Sequence, residues 1–139
     1  MANLAAIRAG IVANLRTAFP DNVQITGYNL SNPLAPAFEV EVDRVVFDST
    51  MSRGLDEWLF TVRGFATSGT DQAAQQRLDP WLASTGAESV KVALESDRTL
   101  GGTVSDSRVV QVTRVATFTA SATSFYGAEW LLRVIAQGD

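Results

Sequence analysis

The chain has 139 residues, 46% of them hydrophobic and 19% charged, which is typical of one globular domain spanning residues 1–139. Cysteine and histidine do not occur in it, so disulfide frameworks, thiolate zinc sites, cysteine nucleophiles and histidine-dependent catalysis are excluded. The net charge of −4 has the wrong sign for a domain that binds the phosphates of nucleic acids. Because the apolar runs are too short for a membrane span and no secretory leader is apparent, we expect a cytoplasmic protein.

The first predicted element is an amphipathic helix near the N-terminus. Its apolar residues recur at three- and four-residue steps, namely Leu4, Ile7, Ile11, Leu15 and Phe19. Asn3 is the expected N-cap, and Pro20 is expected to end the helix. A short strand around Gln24 to Tyr28 follows, and it leads into an irregular loop with two prolines.

Two strands are predicted next, over residues 37–45 and 56–67. The first alternates strictly, with Phe38, Val40 and Val42 on one face and Glu39, Glu41 and Asp43 on the other. The second places Trp58, Phe60 and Val62 on one side and the apolar Leu59 and Phe65 on the opposite side. Strict alternation predicts a half-buried strand.

Two helices are predicted in the middle of the chain. The inner stripe of the first consists of Ala74, Leu78, Trp81 and Leu82. Ser68 or Thr70 is its expected cap, and Pro80 predicts a break or a kink near Asp79. A short third helix is expected over residues 90–97.

Residues 107–120 and 127–137 predict two closing strands. The first is expected to place Val110, Val112, Ala116 and Phe118 on one face, and the second to direct Trp130, Leu132 and Val134 inward with Leu131 and Ile135 outside. The order of elements predicts an α+β fold: a mostly antiparallel sheet of about five strands, with the N-terminal helix and the two central helices packed on one face. Apolar residues on both sides of two strands indicate that the sheet builds an oligomer.

Gly101 and Gly102 follow a predicted helix and precede a strand. This order is the reverse of that in a phosphate-binding loop, and no Gly-Lys-Ser/Thr sequence is present. We therefore interpret the pair as a helix end or tight turn that needs positive φ angles.

The alternating carboxylates Glu39, Glu41 and Asp43 leave three interpretations open. They are a metal or acid/base cluster, a solvated acidic face, or an acidic surface between subunits or along a channel. The chain offers no partner motif for the first, so we predict no catalytic residue, no metal site and no cofactor.

Arg53 and Arg98 lie in predicted turns beside Asp56 and Asp97. Local pairing on the surface is one interpretation, and pairing across a subunit boundary is the other.

Five segments of the chain resemble, in the same order, small tail proteins of long-tailed actinobacterial phages, and among these the tail terminator, or tail-completion protein. The segments are residues 4–28, 53–65, 71–83, 89–109 and 126–136. They cover most of the chain, and the resemblance rests on their arrangement rather than on a catalytic motif.

The resemblance implies a structural, non-enzymatic protein of the virion, made in the host cytoplasm. Its protomers would form a homohexameric ring at the head-proximal end of the tail, where it caps the last ring of the major tail tube protein. The cap would stop polymerisation of the tube and join the tail to the neck proteins of the head. Genome DNA would pass through without specific binding, and no membrane is involved. Closed rings use heterologous interfaces, in which different patches of one surface meet.

Two groups of site residues follow from this resemblance. Predicted interface residues are Arg53, Asp56, Asp97, Arg98, Gly101 and Gly102. Glu39, Glu41 and Asp43 are predicted to line an acidic lumen, which repels DNA, or a subunit contact. The alternatives are another neck or head-completion ring protein that contacts the portal, and a small-molecule-binding α+β domain, which a deep pocket with converging polar groups would distinguish.

Overall fold

The computed structural model describes residues 3–19, 23–28, 36–47, 55–68, 72–120 and 123–137. Their elements follow the predicted order of a helix, three strands, two helices and two strands. They are α1 (Leu4–Arg16), β1 (Gln24–Ile25), β2 (Ala37–Val46), β3 (Leu55–Ser68), α2 (Gln72–Leu82), α3 (Val90–Leu94), β4 (Asp106–Ala120) and β5 (Thr123–Gln137). None of the helices in this part of the chain is long and apolar enough to cross a membrane.

The strands form one five-stranded sheet in the order β1-β2-β3-β5-β4. Only β1 and β2 run parallel, and their pairing covers two residue pairs, Gln24 with Ala37 and Ile25 with Phe38. The other neighbours are antiparallel. The predicted α+β class with a mostly antiparallel sheet is therefore confirmed.

The helices pack on one face of the sheet, as predicted. Their apolar stripes and the inward residues of β2, β3 and β5 belong to one core, whose largest members are Ile7, Ile11, Leu15, Phe38, Phe60, Leu78, Trp81, Leu94, Trp130 and Leu132. At its centre the ring of Phe38 stacks on Trp81 at 4.7 Å between centroids. Aromatic pairs of this kind add about 1 kcal/mol to the burial of their surface.

A buried side chain joins α1 to the end of α3. The amide nitrogen of Asn14 donates to the backbone carbonyls of Leu94 and Asp97, both at 2.9 Å, and its oxygen accepts from the hydroxyl of Ser96. The carbonyl of Leu94 lies at the C-terminal end of α3, where the helix itself supplies no donor. The carbonyl of Asp97 lies in the following turn and also accepts from the backbone N–H of Leu100. Asn14 therefore fixes the orientation of the two helices.

Gly127 on β5 allows a close approach between the two central strands. A Cβ atom there would lie 2.0 Å from the carbonyl oxygen of Gly64 on β3. The approach occurs beside Ala66, an extra residue of β3 that has no partner between Phe65 and Thr67. Such a β-bulge increases the local twist of the sheet.

One prediction about the elements is wrong, and another is settled in part. The break allowed near Asp79 is absent, because α2 continues through Pro80 to Leu82, and the kink allowed at the same place stays a prediction. Pro80 lies in the last turn, so only the bond to the carbonyl of the exposed Gln76 is lost, and water can replace it. The first strand is also shorter than expected, because β1 ends at Ile25. Pro20 and Thr70 lie outside the described residues.

The predicted faces of β4 are also wrong. Val109 is buried, whereas Val110 and Val112 are 39% and 36% exposed. Val110 and Thr113 are extra residues that have no partner on β5. Each extra residue shifts the alternation of side chains by one position, so the period of two read from the sequence does not hold along this strand.

Replacing Asn14 with Ala should lower the free energy of unfolding by about 2 kcal/mol, because the carbonyl of Leu94 loses a buried hydrogen bond and the carbonyl of Asp97 loses one of its two donors. Asn14→Asp should cost at least as much, since a carboxylate keeps the shape and presents only acceptors. Urea unfolding followed by circular dichroism measures both. The matched control is Asn3→Ala, which removes one exposed N-cap bond to the backbone of Ala6 and should cost about 1 kcal/mol. Equal losses for Asn14→Ala and Asn3→Ala would contradict the role of Asn14.

Candidate functional site

The most distinctive feature of the molecule is the face of the sheet opposite the helices, which no helix covers in the described ranges. At its centre four charged residues of alternating sign lie side by side across four strands. Glu39 on β2 is opposite Arg63 on β3, Arg63 is opposite Glu129 on β5, and Glu129 is opposite Arg114 on β4. Opposite charges in directly facing positions stabilise strand pairing.

Arg63 binds both carboxylates of this row and also Glu41 on β2. We call Arg63, Glu39, Glu41 and Glu129 the Arg63 cluster. The Nε and one terminal nitrogen of Arg63 donate to Glu129, at 2.9 and 2.5 Å. The other terminal nitrogen donates to Glu39 at 2.5 Å. The terminal nitrogen that binds Glu129 also makes a longer contact, of 3.3 Å, with Glu41. Glu39 is only 4% exposed. A carboxylate so deeply buried needs a cation with good hydrogen-bond geometry, which the planar guanidinium supplies.

The side chain of Arg63 stays protonated. Its partial burial disfavours the charged form, but the hydrogen bonds to Glu129 and Glu39 outweigh burial and raise the pKa of Arg63 above its ordinary value. The guanidinium is therefore a cation at every pH at which the protein folds.

The structure brings together two of the three acidic residues predicted as a group. Glu39 and Glu41 bind Arg63, whereas Asp43 is exposed and has no partner on β3, at a bulge between Val42 and Arg44. A face shared by all three, and their role at a lumen or subunit contact, stay predictions. Among the described residues no group of three or more Asp or Glu is placed to hold a metal ion.

An aromatic cluster adjoins the Arg63 cluster on the same face. It consists of Ala37, Phe65 and Phe125, with Phe118 packed against them. The guanidinium groups of Arg63 and Arg114 lie 5.6 and 5.1 Å from the centroid of the Phe118 ring, within the range of cation–π attraction. The sequence predicted apolar residues on this second face. It did not predict that Arg63 pairs with Glu39 and Glu129 there.

The loop between α3 and β4 holds four of the six predicted interface residues, namely Asp97, Arg98, Gly101 and Gly102. Asp97 accepts hydrogen bonds from the hydroxyl of Thr99 and the backbone N–H of Gly101, and these lower the pKa of Asp97. The φ angles of Gly101 and Gly102 are 76° and 86°. The interpretation of the pair as a tight turn with positive φ is therefore confirmed.

Arg98 pairs within its own chain, but its partner is not the neighbouring Asp97. It donates to Asp106 at 2.9 Å, on the first residue of β4. Asp56 lies at the same end of the sheet, because it is opposite Ala136 while Asp106 is opposite Ile135. Arg53 lies outside the described residues. The structure thus places the described members of this group at one end of the sheet.

The outer edge of β4 was not recognised from the sequence. On its other side β4 pairs with β5, and no strand in the described ranges pairs with this edge. Glu95 on the neighbouring turn accepts a hydrogen bond from the backbone N–H of Val109 at 2.9 Å. Beyond that point Val110, Val112 and Val115 are exposed, the last by 44%.

Burial disfavours the charged form of Glu95, but the hydrogen bonds from Lys91 and from the Val109 N–H outweigh burial. Together they lower the pKa of Glu95. Glu95 is therefore an anion at neutral pH and occupies one backbone donor of the β4 edge.

The opposite edge of the sheet belongs mainly to β2. β1 pairs with its first two residues only, and Arg8 donates to the carbonyl of Val40 at 3.3 Å. From Val42 onward no described strand pairs with this edge, and Val46 and Phe47 are 39% and 72% exposed there. Within the described ranges, the sheet therefore has a strand edge on each side that pairs with no other strand.

A cleft of about 360 Å³ lies between the end of α1 and α2. Its lining includes Phe19, Val23, Gln76, Arg77, Trp81 and Glu88. Two exposed residues of this lining are charged: Arg77 is a cation and Glu88 is an anion. This cleft is the feature that the alternative of a small-molecule-binding domain would use.

The fold and these surfaces define an α+β domain whose conspicuous features are one open sheet face and two strand edges. No model of a known protein family matches the sequence, and a search of curated proteins finds no match.

Replacing Arg63 with Met should lower the free energy of unfolding by about 2 kcal/mol, because the buried carboxylate of Glu39 loses its cation. Glu39→Gln in the same chain should restore part of that loss, since a neutral amide costs less to bury. Urea unfolding of the wild type, both single variants and the double variant gives the coupling between the two positions. Additive losses would show that the two side chains do not stabilise each other.

Glu95→Gln should lower the free energy of unfolding by about 1 kcal/mol at pH 7. Because the pKa of Glu95 is lowered by folding, its contribution is full above the unfolded-state pKa of about 4.3. It should disappear as the pH falls through the lower folded-state pKa. Urea unfolding between pH 7 and 3 measures this, with the exposed Glu88→Gln as control. A difference from wild type that does not shrink as the pH falls from 5 to 3 would exclude the carboxylate as its source.

Proposed function

We propose that this chain is a phage tail terminator, a structural protein that forms a ring on the head-proximal end of the tail tube. The ring stops growth of the tube and joins the tail to the neck of the head. This is the function implied by the resemblance of residues 4–28, 53–65, 71–83, 89–109 and 126–136 to such proteins.

The observation that carries the proposal is the pair of edges, on opposite sides of one sheet, that no strand of the described residues occupies. A ring needs two different, complementary patches on each subunit, and these must face in different directions. An edge of β4 and an edge of β2 meet that requirement. An isologous dimer needs only one self-complementary patch.

The charge of the chain supports passage of DNA through such a ring. A net charge of −4 disfavours binding to phosphates, which suits a protein through which a genome slides. On the open face the Arg63 cluster joins one cation to three carboxylates. The arginine is thereby neutralised by its own chain and gives DNA little to bind.

The inventory of side chains supports a structural role as well. The chain has no histidine or cysteine, so an enzyme built on it would rely on carboxylates, hydroxyls, lysine or arginine. The most buried carboxylate, Glu39, is bound by Arg63. That contact suits stabilisation of the sheet better than proton transfer.

Purified protein added to polymerising major tail tube protein should arrest tube growth, because the cap removes the end to which subunits add. Light scattering follows the growth, and electron microscopy of gold-labelled protein should find the label at one end of each tube. Native mass spectrometry should find six copies, either free or on the tube end. The control is an unrelated acidic protein of similar mass, which should leave growth unchanged.

Three results would contradict this function. Unchanged growth together with a stable monomer or dimer would exclude a tail terminator. A ring that binds the portal and ignores tubes would identify a neck or head-completion protein. Thermal stabilisation by a small molecule that is lost in an Arg77→Ala variant, without any effect on tubes, would favour the cleft beside α2 as the functional site.

A further inference from the structure

We propose that the free edge of β4 pairs with the free edge of β2 in a second copy of this chain, so that the sheets of neighbouring subunits join head to tail. This inference deepens the proposed function, on which it rests for the closure of the assembly into a ring. It names the two surfaces that form the subunit interface.

The edge of β4 has the properties of a strand that pairs with another chain. β4 is 15 residues long, and natural sheets usually protect such edges with prolines, lysines or covering loops. Residues 107–120 contain neither proline nor lysine. Glu95 occupies the backbone donor of Val109 only, and the exposed Val110, Val112 and Val115 follow it. An added strand would bury this apolar surface.

The edge of β2 offers a shorter segment with matching apolar residues. Arg8 contacts the carbonyl of Val40, so the segment available for pairing begins at Val42. Val46 and Phe47, at its far end, are exposed. Five residues from Val42 to Val46 equal the usual length of a strand in a globular protein, which is enough to support strand addition.

The charges favour pairing of the β4 edge with the β2 edge over pairing of the β4 edge with itself. Residues 107–120 of β4 carry Arg108 and Arg114 and no acidic residue, and Asp106 before them is paired with Arg98. Residues 42–46 of β2 carry Asp43 and Arg44. Self-pairing of β4 would bring its arginines to one seam, whereas pairing with β2 places Asp43 near them. Like charges across a strand pair are destabilising and opposite charges are favourable.

The position of the edges determines the symmetry. They lie on opposite sides of the same sheet, so each subunit uses two different patches and the contact is heterologous. Contacts of this type form a closed ring when the rotation between subunits closes, and a filament when it does not. The twist of the sheet and its bulges at Val110 and Thr113 contribute to that rotation.

The absence of cysteine makes a direct test simple. Val46→Cys on β2 and Val112→Cys on β4 are introduced together, and the protein is treated with a short bis-maleimide, alone and with tail tubes present. We expect a ladder of covalent multimers that ends at the ring size, and no covalent product from either single variant. The control pair is Val46→Cys with Ala73→Cys, an exposed position on α2, which should give no ladder.

Charge reversal supplies an independent test. Arg114→Glu in the double-cysteine chain should remove most of the ladder, because residues 107–120 then carry no net positive charge, and Asp43→Arg added to it should restore the ladder. Arg77→Glu on α2 is the matched control and should leave the ladder unchanged. Circular dichroism confirms that the variants fold.

The outcomes separate this inference from the proposed function. A covalent dimer from Val112→Cys alone would overturn it in favour of β4 self-pairing. Rings that cap tubes and give no ladder would overturn the edge pairing and leave the tail terminator in place. A ladder without arrest of tube growth would support the edge pairing and contradict the tail terminator.

Discussion

The guanidinium of Arg63 holds together the three strands that determine the rest of the molecule. It lies on β3 and binds Glu39 on β2 and Glu129 on β5, so its contacts cross both central strand pairs. A slip of one residue in either pair would move the carboxylate to the opposite face of the sheet. The same slip would carry Phe38 or Trp130 out of the helix-covered core. The charged row on one face and the aromatic core on the other therefore specify a single register.

The helices depend on that register, since they pack on the residues it directs inward. Phe38 stacks on Trp81 of α2, and Asn14 joins α1 to α3 through the carbonyls of Leu94 and Asp97. The helix layer thus covers the centre of the sheet, and on β4 its core includes Val109 but not Val110, Val112 or Val115. The valines of β4 are exposed for this reason, although several of them point to the helix side.

Local periodicity was enough to predict the element order, the helix-side core and the positive-φ turn at Gly101 and Gly102. Each of these depends on residues close in sequence. The faces of β4 were predicted wrongly, because a bulge arises from the pairing with a neighbouring strand. The Arg63 cluster was missed for the same reason: Glu39 and Glu129 are 90 positions apart in the chain, and no single segment indicates that they meet on one cation.

Glu95 gives the edge of β4 a defined starting point. A strand that approaches this edge finds the N–H of Val109 already occupied by a carboxylate, so pairing can begin only beyond it. The bulges at Val110 and Thr113 then change which side chains face a partner, and they limit the number of registers with good contacts. An edge with one end blocked and irregular spacing accepts few partners. The features that disturb the alternation of β4 are therefore the ones that would make its pairing specific, and a regular strand of the same composition would be more prone to aggregate.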